Sequence, residues 1–160
     1  MARIGISGHM NLTPATETLV QEALRELLSA EPATELVGIS CLARGADQLF
    51  AREVLDLGGQ LIVVLPSANY REQKVRPENQ ALFDELLGKA TEIRTIPLAQ
   101  SNRAAYEAAN MVLLDLAERL VAVWDGQSPT DQGGTGAVVE QAHQLGKPVH
   151  VVWPEGAERE

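Results

Sequence analysis

Gly133-Gly134-Thr135-Gly136 stands between an apolar run, Leu120–Trp124, and a helical repeat, Ala137–Leu145. A glycine cluster in that position lets backbone approach a ligand with no Cβ in the way. A helix start behind it offers unpaired N–H groups and the positive end of the helix dipole. The chemistry this order of elements suits is the holding of an anion, a phosphate or carboxylate, over the loop. A plain surface connection is the alternative. Asp125-Gly126, at the start of the same loop, either binds a ribose hydroxyl or makes a turn.

Other residues able to do chemistry fall where further strands end. Gly8-His9 follows Arg3–Ser7, Arg44-Gly45 follows Glu35–Ser40, and Pro66 stops Gln60–Leu65. His9 either hydrogen-bonds a phosphate or ribose or is solvated. Arg44 is a bidentate phosphate partner or a surface ion-pair partner of Asp47 or Glu53. Arg103, Tyr106 and Asn110 share one helix face, forming either a polar wall of the crevice or a solvated face. Glu140 is the one acid able to act from the last helix, although it lies nearly opposite the apolar stripe of Val138, Ala142 and Leu145. Cys41 has no partner base and reads as an inert thiol. His150, within the last strand, reads as structural and His143 as exposed. Trp124 ends one strand and Trp153 another; either stacks on a base or ring or packs in the core, the reading favoured for Trp153.

These residues need a frame. Six apolar runs alternate with five helical patterns over 1–160, with no repeat and no internal linker. Thr13-Pro14 caps the first helix, Ser67–Arg76 reads as a loop, and Pro154–Glu160 as a frayed tail. The alternation predicts one domain, an α/β Rossmann-like three-layer fold with a mostly parallel six-stranded sheet. All strand-to-helix loops then share the carboxyl edge, where such sheets bind ligands at a switch in strand order.

Composition limits the function classes. A net charge of −9 and thirteen scattered basic residues argue against a nucleic-acid partner. No run is long enough to span a bilayer, Met1-Ala-Arg leads straight into a strand, and one cysteine suits a reducing cytoplasm. No Gly-Lys-Ser/Thr ends a glycine loop, and the first strand leads only to Gly5-Ile-Ser-Gly8, so neither the P-loop nor the dinucleotide fingerprint is present. Three dispersed histidines and one cysteine make no metal-ligand set, and no cofactor is implied.

Gly133-Gly-Thr-Gly-Ala-Val-Val-Glu140 resembles the G-G-x-G-T-x-x-E motif of the Lonely-guy phosphoribohydrolases. Those enzymes sit with the DNA-processing protein A (DprA) domain in the SLOG superfamily of Rossmann-like nucleotide-binding proteins. Gln132 stands where that motif has proline, and Ala137 where it has threonine. The resemblance implies a nucleotide-derived ligand with its phosphate over Gly133–Gly136, and possible self-association through helices flanking the site. If the hydrolase chemistry is kept, Glu140 assists cleavage of an N-glycosidic bond in a nucleoside monophosphate.

Overall fold

The computed structural model describes residues 1–127 and 134–160. Strand β1 (Ala2–Gly8) leads to helix α1 (Pro14–Leu28), β2 (Leu36–Ser40), α2 (Ala46–Asp56) and β3 (Gln60–Leu65). A five-residue helix α3 (Tyr70–Lys74) and a 3-10 turn (Pro77–Asn79) precede α4 (Gln80–Gly88), β4 (Glu92–Thr95) and α5 (Arg103–Leu116). The chain then returns through β5 (Arg119–Val123), α6 (Thr135–Gln144) and β6 (Val149–Val152).

The six strands form one sheet in the order β4-β3-β2-β1-β5-β6, every neighbouring pair parallel. The chain builds outward from β1 to β4, then crosses back to lay β5 on the other side of β1. The order therefore reverses between β1 and β5, and their carboxyl ends, Gly8 and Val123, are register partners there.

Alternation along the strands divides the core. Ile4 and Ile6 of β1 pack with Val20, Leu24 and Leu28 of α1 and Phe50 and Val54 of α2 on one face. On the other face, Ile39, Val64, Leu120 and Ala122 meet Ala109 and Leu113 of α5 and Val138 and Ala142 of α6. Helices on both faces of a parallel sheet give the three-layer α/β/α architecture, a Rossmann-like fold. Gly5 permits the close seat of α5, since a Cβ there would lie 2.7 Å from a Leu113 methyl. β4 sits at one edge with all four residues exposed.

Local signals act as read. Thr13 caps α1, its hydroxyl accepting from the Thr16 N–H at 3.2 Å, and Pro14 takes the first helical position. Three expectations are corrected. Part of the Ser67–Arg76 stretch is helix α3 rather than loop, anchored by buried Tyr70. His150 is exposed because β6 is an edge strand, although its register partner Val121 and its same-face neighbour Val152 lie in the core layer. The carboxyl-terminal tail is docked rather than frayed. Leu12 and Arg159 form an antiparallel bridge, and the Glu160 N–H donates to the Asn11 carbonyl at 2.7 Å. Among the described residues no helix is long and apolar enough to cross a membrane.

Candidate functional site

At the switch point the loops after β1 and β5 are fastened to each other. The His9 N–H donates to the Val123 carbonyl at 3.1 Å, and the His9 carbonyl accepts from the Ala46 N–H of α2 at 3.2 Å. The buried His9 ring accepts at Nε2 from the Asp125 N–H at 3.1 Å, and sits edge-on to Trp153 with centroids 5.6 Å apart. Burial and, next, the Arg159 guanidinium hold His9 below the ordinary histidine pKa, against an opposing pull from Asp125. Asp125 closes a turn by accepting from the Gln127 N–H at 3.0 Å, with Gly126 at φ +83°, and its other oxygen takes Arg159 from the tail at 3.3 Å. The His9 Nε2 and the Asp125 carboxylate are thus engaged by the chain itself.

Gly8 and Gly45 have an internal reason to be glycine. A Cβ on Gly8 would lie 2.4 Å from the Ala46 Cβ, and one on Gly45 would lie 2.7 Å from the His9 carbonyl oxygen. Gly45 also has φ +89°, where glycine alone is unstrained. Both serve the close seat of the β1 loop on the start of α2.

An open site lies one loop further along the same edge. The Ser40 hydroxyl accepts from the Leu42 N–H and donates to the Asp47 carbonyl, while the Asp47 carboxyl accepts from the Ala43 N–H at 3.3 Å. This turn holds Leu42 at φ +55° and projects Arg44 outward. Gln48 braces it, donating to the Leu42 carbonyl at 3.2 Å and exchanging amide hydrogen bonds of 2.8 and 3.0 Å with Asn79. Across from Arg44, the α3 segment supplies Tyr70, Lys74 and Arg76, and α5 supplies Tyr106, its ring 6.3 Å from that of Tyr70 and nearly perpendicular to it. Together with Met10, Leu42, Val75 and Asn79 they line a cleft of about 270 Å³.

The cleft's charge is one-sided. Among the described residues it is lined by Arg44, Lys74 and Arg76 and by no carboxylate. Eight of the thirteen basic side chains pair with a carboxylate elsewhere, and Lys147 donates to the Ala117 carbonyl. Among the described residues, the four cations left without a partner are Arg44, Arg52, Lys74 and Arg76, and three of these face this one cleft. Burial pushes Tyr70 and Tyr106 above the ordinary tyrosine range, so both stay neutral hydroxyls able to donate. The arrangement can hold an anion by charge-assisted hydrogen bonds and an adjoining ring by contact with tyrosine.

The structure brings some of the sequence candidates together and separates others. Arg44 and Tyr106 share the cleft, and Arg44 pairs with neither Asp47 nor Glu53. Glu53 is instead buried under Gln21 and Arg25 of α1. Arg103 is solvated, 3.9 Å from Glu107, so the polar wall reduces to Tyr106. Pro66 is buried at the end of β3. Gly133 lies outside the described residues; Gly134 caps α6, Thr135 is buried and Gly136 half-buried. Glu140 is exposed, on the side of α6 away from Val138, Val139 and Ala142. Cys41 is pushed above the ordinary thiol range by burial and then by Asp47, which disfavours the thiolate. Tyr70, Lys74, Arg76 and Asn79, which also line the cleft, were not among the sequence candidates. The available signal was the run Arg71-Glu-Gln-Lys74-Val-Arg76, three cations in six residues, so the basic residues are not evenly scattered.

No protein-family model and no curated protein matches the sequence. Solved structures do match in fold. DprA from Streptococcus pneumoniae superposes with TM-score 0.70 at 18% identity, over 98% of this chain and 52% of that one. Helicobacter pylori DprA, in a structure concerned with its single-stranded DNA binding mode, gives TM-score 0.72 at 18% identity, over 99% of this chain and 68% of that one. The molybdenum cofactor carrier protein of Chlamydomonas reinhardtii gives TM-score 0.59 at 16% identity, over 94% and 75%. These likenesses show a shared Rossmann-like fold. The chain spans about half the length of the pneumococcal DprA.

The DprA match overturns one expectation from charge. A net charge of −9 argued against a nucleic-acid partner, yet the H. pylori DprA binds single-stranded DNA on a fold that 99% of this chain shares. The physical reason the argument fails is that net charge averages the whole surface, whereas a strand responds to the local field. Here, among the described residues, eight cations pair with neighbouring carboxylates while three without such a partner are gathered in one cleft.

Proposed function

We propose that the protein binds a nucleotide or nucleotide derivative at the carboxyl edge of its sheet, with phosphate among Arg44, Lys74 and Arg76 and the ring against Tyr106. One observation carries this reading: in an acidic chain, among the described residues, three of the four unpartnered cations line one cleft that has two tyrosines and no carboxylate. The volume of about 270 Å³ is near the lower end of the range for small-molecule sites, roughly 300–1,000 Å³. The proposal rests on this cleft rather than on the Gly134–Gly136 segment, and it includes the single-domain organisation and cytoplasmic setting read from the sequence. It does not include phosphoribohydrolase chemistry, because Glu140 points to solvent from the outer side of α6.

Thermal shift against adenosine, guanosine, cytidine and uridine phosphates at millimolar concentration tests the reading. Stabilisation by one or more, lost in Arg44→Glu and weakened in Tyr106→Ala, is the expected result. Equal behaviour of the wild type and both variants toward every nucleotide removes the cleft from consideration.

A second reading uses the same residues for a single-stranded nucleic acid. Cations beside aromatic side chains are the elements on which such strands rest, and H. pylori DprA binds single-stranded DNA with this fold. A salt-sensitive shift of a labelled oligonucleotide, reduced by Lys74→Glu, would favour it over the mononucleotide.

A further inference from the structure

Resting on the nucleotide reading of the same cleft, we infer that its ligand carries at least two linked phosphates, a nucleoside diphosphate or larger phosphoester rather than a monophosphate. Three cations meet there from separate pieces of backbone: Arg44 from the turn after β2, Lys74 from the end of α3, and Arg76 from the extended residue before the 3-10 turn. No lining carboxylate and no ion-pair partner among the described residues offsets them.

Charge matching decides the phosphate count. A bound monophosphate brings at most two negative charges and leaves one guanidinium or ammonium facing the cleft uncompensated. A diphosphate brings about three, one for each cation, and presents enough oxygens for each to make its own charge-assisted bond. The backbone that carries Lys74 and Arg76 is held in place. The Val75 N–H donates to the Arg71 carbonyl at 3.2 Å, the Gln80 amide donates to the Val75 carbonyl at 3.3 Å, and Asn79 is locked to Gln48. Tyr70 and Tyr106 leave one wall of the cleft for a ring, and the volume suits one nucleotide rather than a strand of several.

The test is titration calorimetry of the full chain with ADP, AMP, pyrophosphate and a thymidine oligonucleotide at fixed ionic strength. ADP is expected to bind about tenfold tighter than AMP, one charge-assisted hydrogen bond's worth. Lys74→Gln and Arg76→Gln should each bring the two nucleotides to within about threefold, while Arg52→Gln, which removes an unpaired cation outside the cleft, keeps the full preference. Equal affinity for AMP and ADP overturns the inference and leaves the nucleotide reading standing. Binding of neither nucleotide nor pyrophosphate overturns both, and binding of the oligonucleotide alone overturns both in favour of the strand.

Discussion

The His9 ring accepts a hydrogen bond at Nε2 from the backbone N–H of Asp125, 3.1 Å away, and so pins the loop after β1 to the loop after β5. An accepting Nε2 requires a neutral imidazole with its proton on Nδ1. Burial and Arg159 lower the His9 pKa, so between that lowered value and about 6.5 the unfolded chain binds more protons than the folded one. Stability from this group is complete above about pH 6.5 and is lost as the pH falls through the folded value. Melting temperatures measured from pH 5 to 8 should decline on the acid side, and His9→Gln, which keeps an acceptor but cannot titrate, should flatten that limb.

Asp47 has the opposite slope. Burial raises its pKa to about 7, only partly offset by the Ala43 N–H. The folded protein therefore holds a proton there that the unfolded chain releases near pH 4. The contribution is full below about pH 4 and is lost as the pH rises through 7. Asp47→Asn keeps an oxygen for the Ala43 N–H and removes the titration. The melting temperature of the variant relative to wild type should climb between pH 4 and 8; a constant difference would show that Asp47 ionises freely in the fold.

Two glycines separate packing from backbone strain. Gly8→Ala places a methyl 2.4 Å from Ala46 and 2.8 Å from Val123, between two packed elements, and should cost about 3 kcal/mol or more. Gly126 has φ +83° but open space around it, so Gly126→Ala should cost only about 1 kcal/mol. Urea unfolding of the two variants without ligand checks the order. A reversal would mean that the β1 loop yields to let the methyl in.

The frame was legible because its signals are local and repeated: apolar runs, a Thr-Pro cap, glycines that end helices, and periodicity in α1, α2 and α5. The α3 segment was not, since five residues make little more than one turn and hold one buried anchor, Tyr70, too few for a period to show. That omission hid the cleft, as Lys74 and Arg76 acquire meaning only once α3 faces Arg44. The tail was missed for a related reason: Arg159 is tied to Asn11 and Asp125, residues whose distance in sequence leaves no local trace. Arg44 was singled out by its place beside Gly45 at a strand's carboxyl end, and Tyr106 by the helix face it shares with Arg103 and Asn110.

Gln48 supports the cleft without lining it. Its amide reaches the Leu42 carbonyl on one wall and both amide atoms of Asn79 on the other, and it is 3% exposed. Gln48→Leu strands the buried Leu42 carbonyl and the half-buried Asn79 amide, so a loss of about 1–3 kcal/mol is expected, with weaker binding of the proposed nucleotide because Leu42 and Asn79 then move independently. Asn79→Leu alone leaves the Gln48 amide short of partners and should also destabilise. Replacing both removes the mismatch between them. The double variant should then be more stable than the sum of the single losses predicts, by about 1–2 kcal/mol in a double-mutant cycle. Simple additivity would show that the two amides act separately and that the cleft wall is held by the backbone alone.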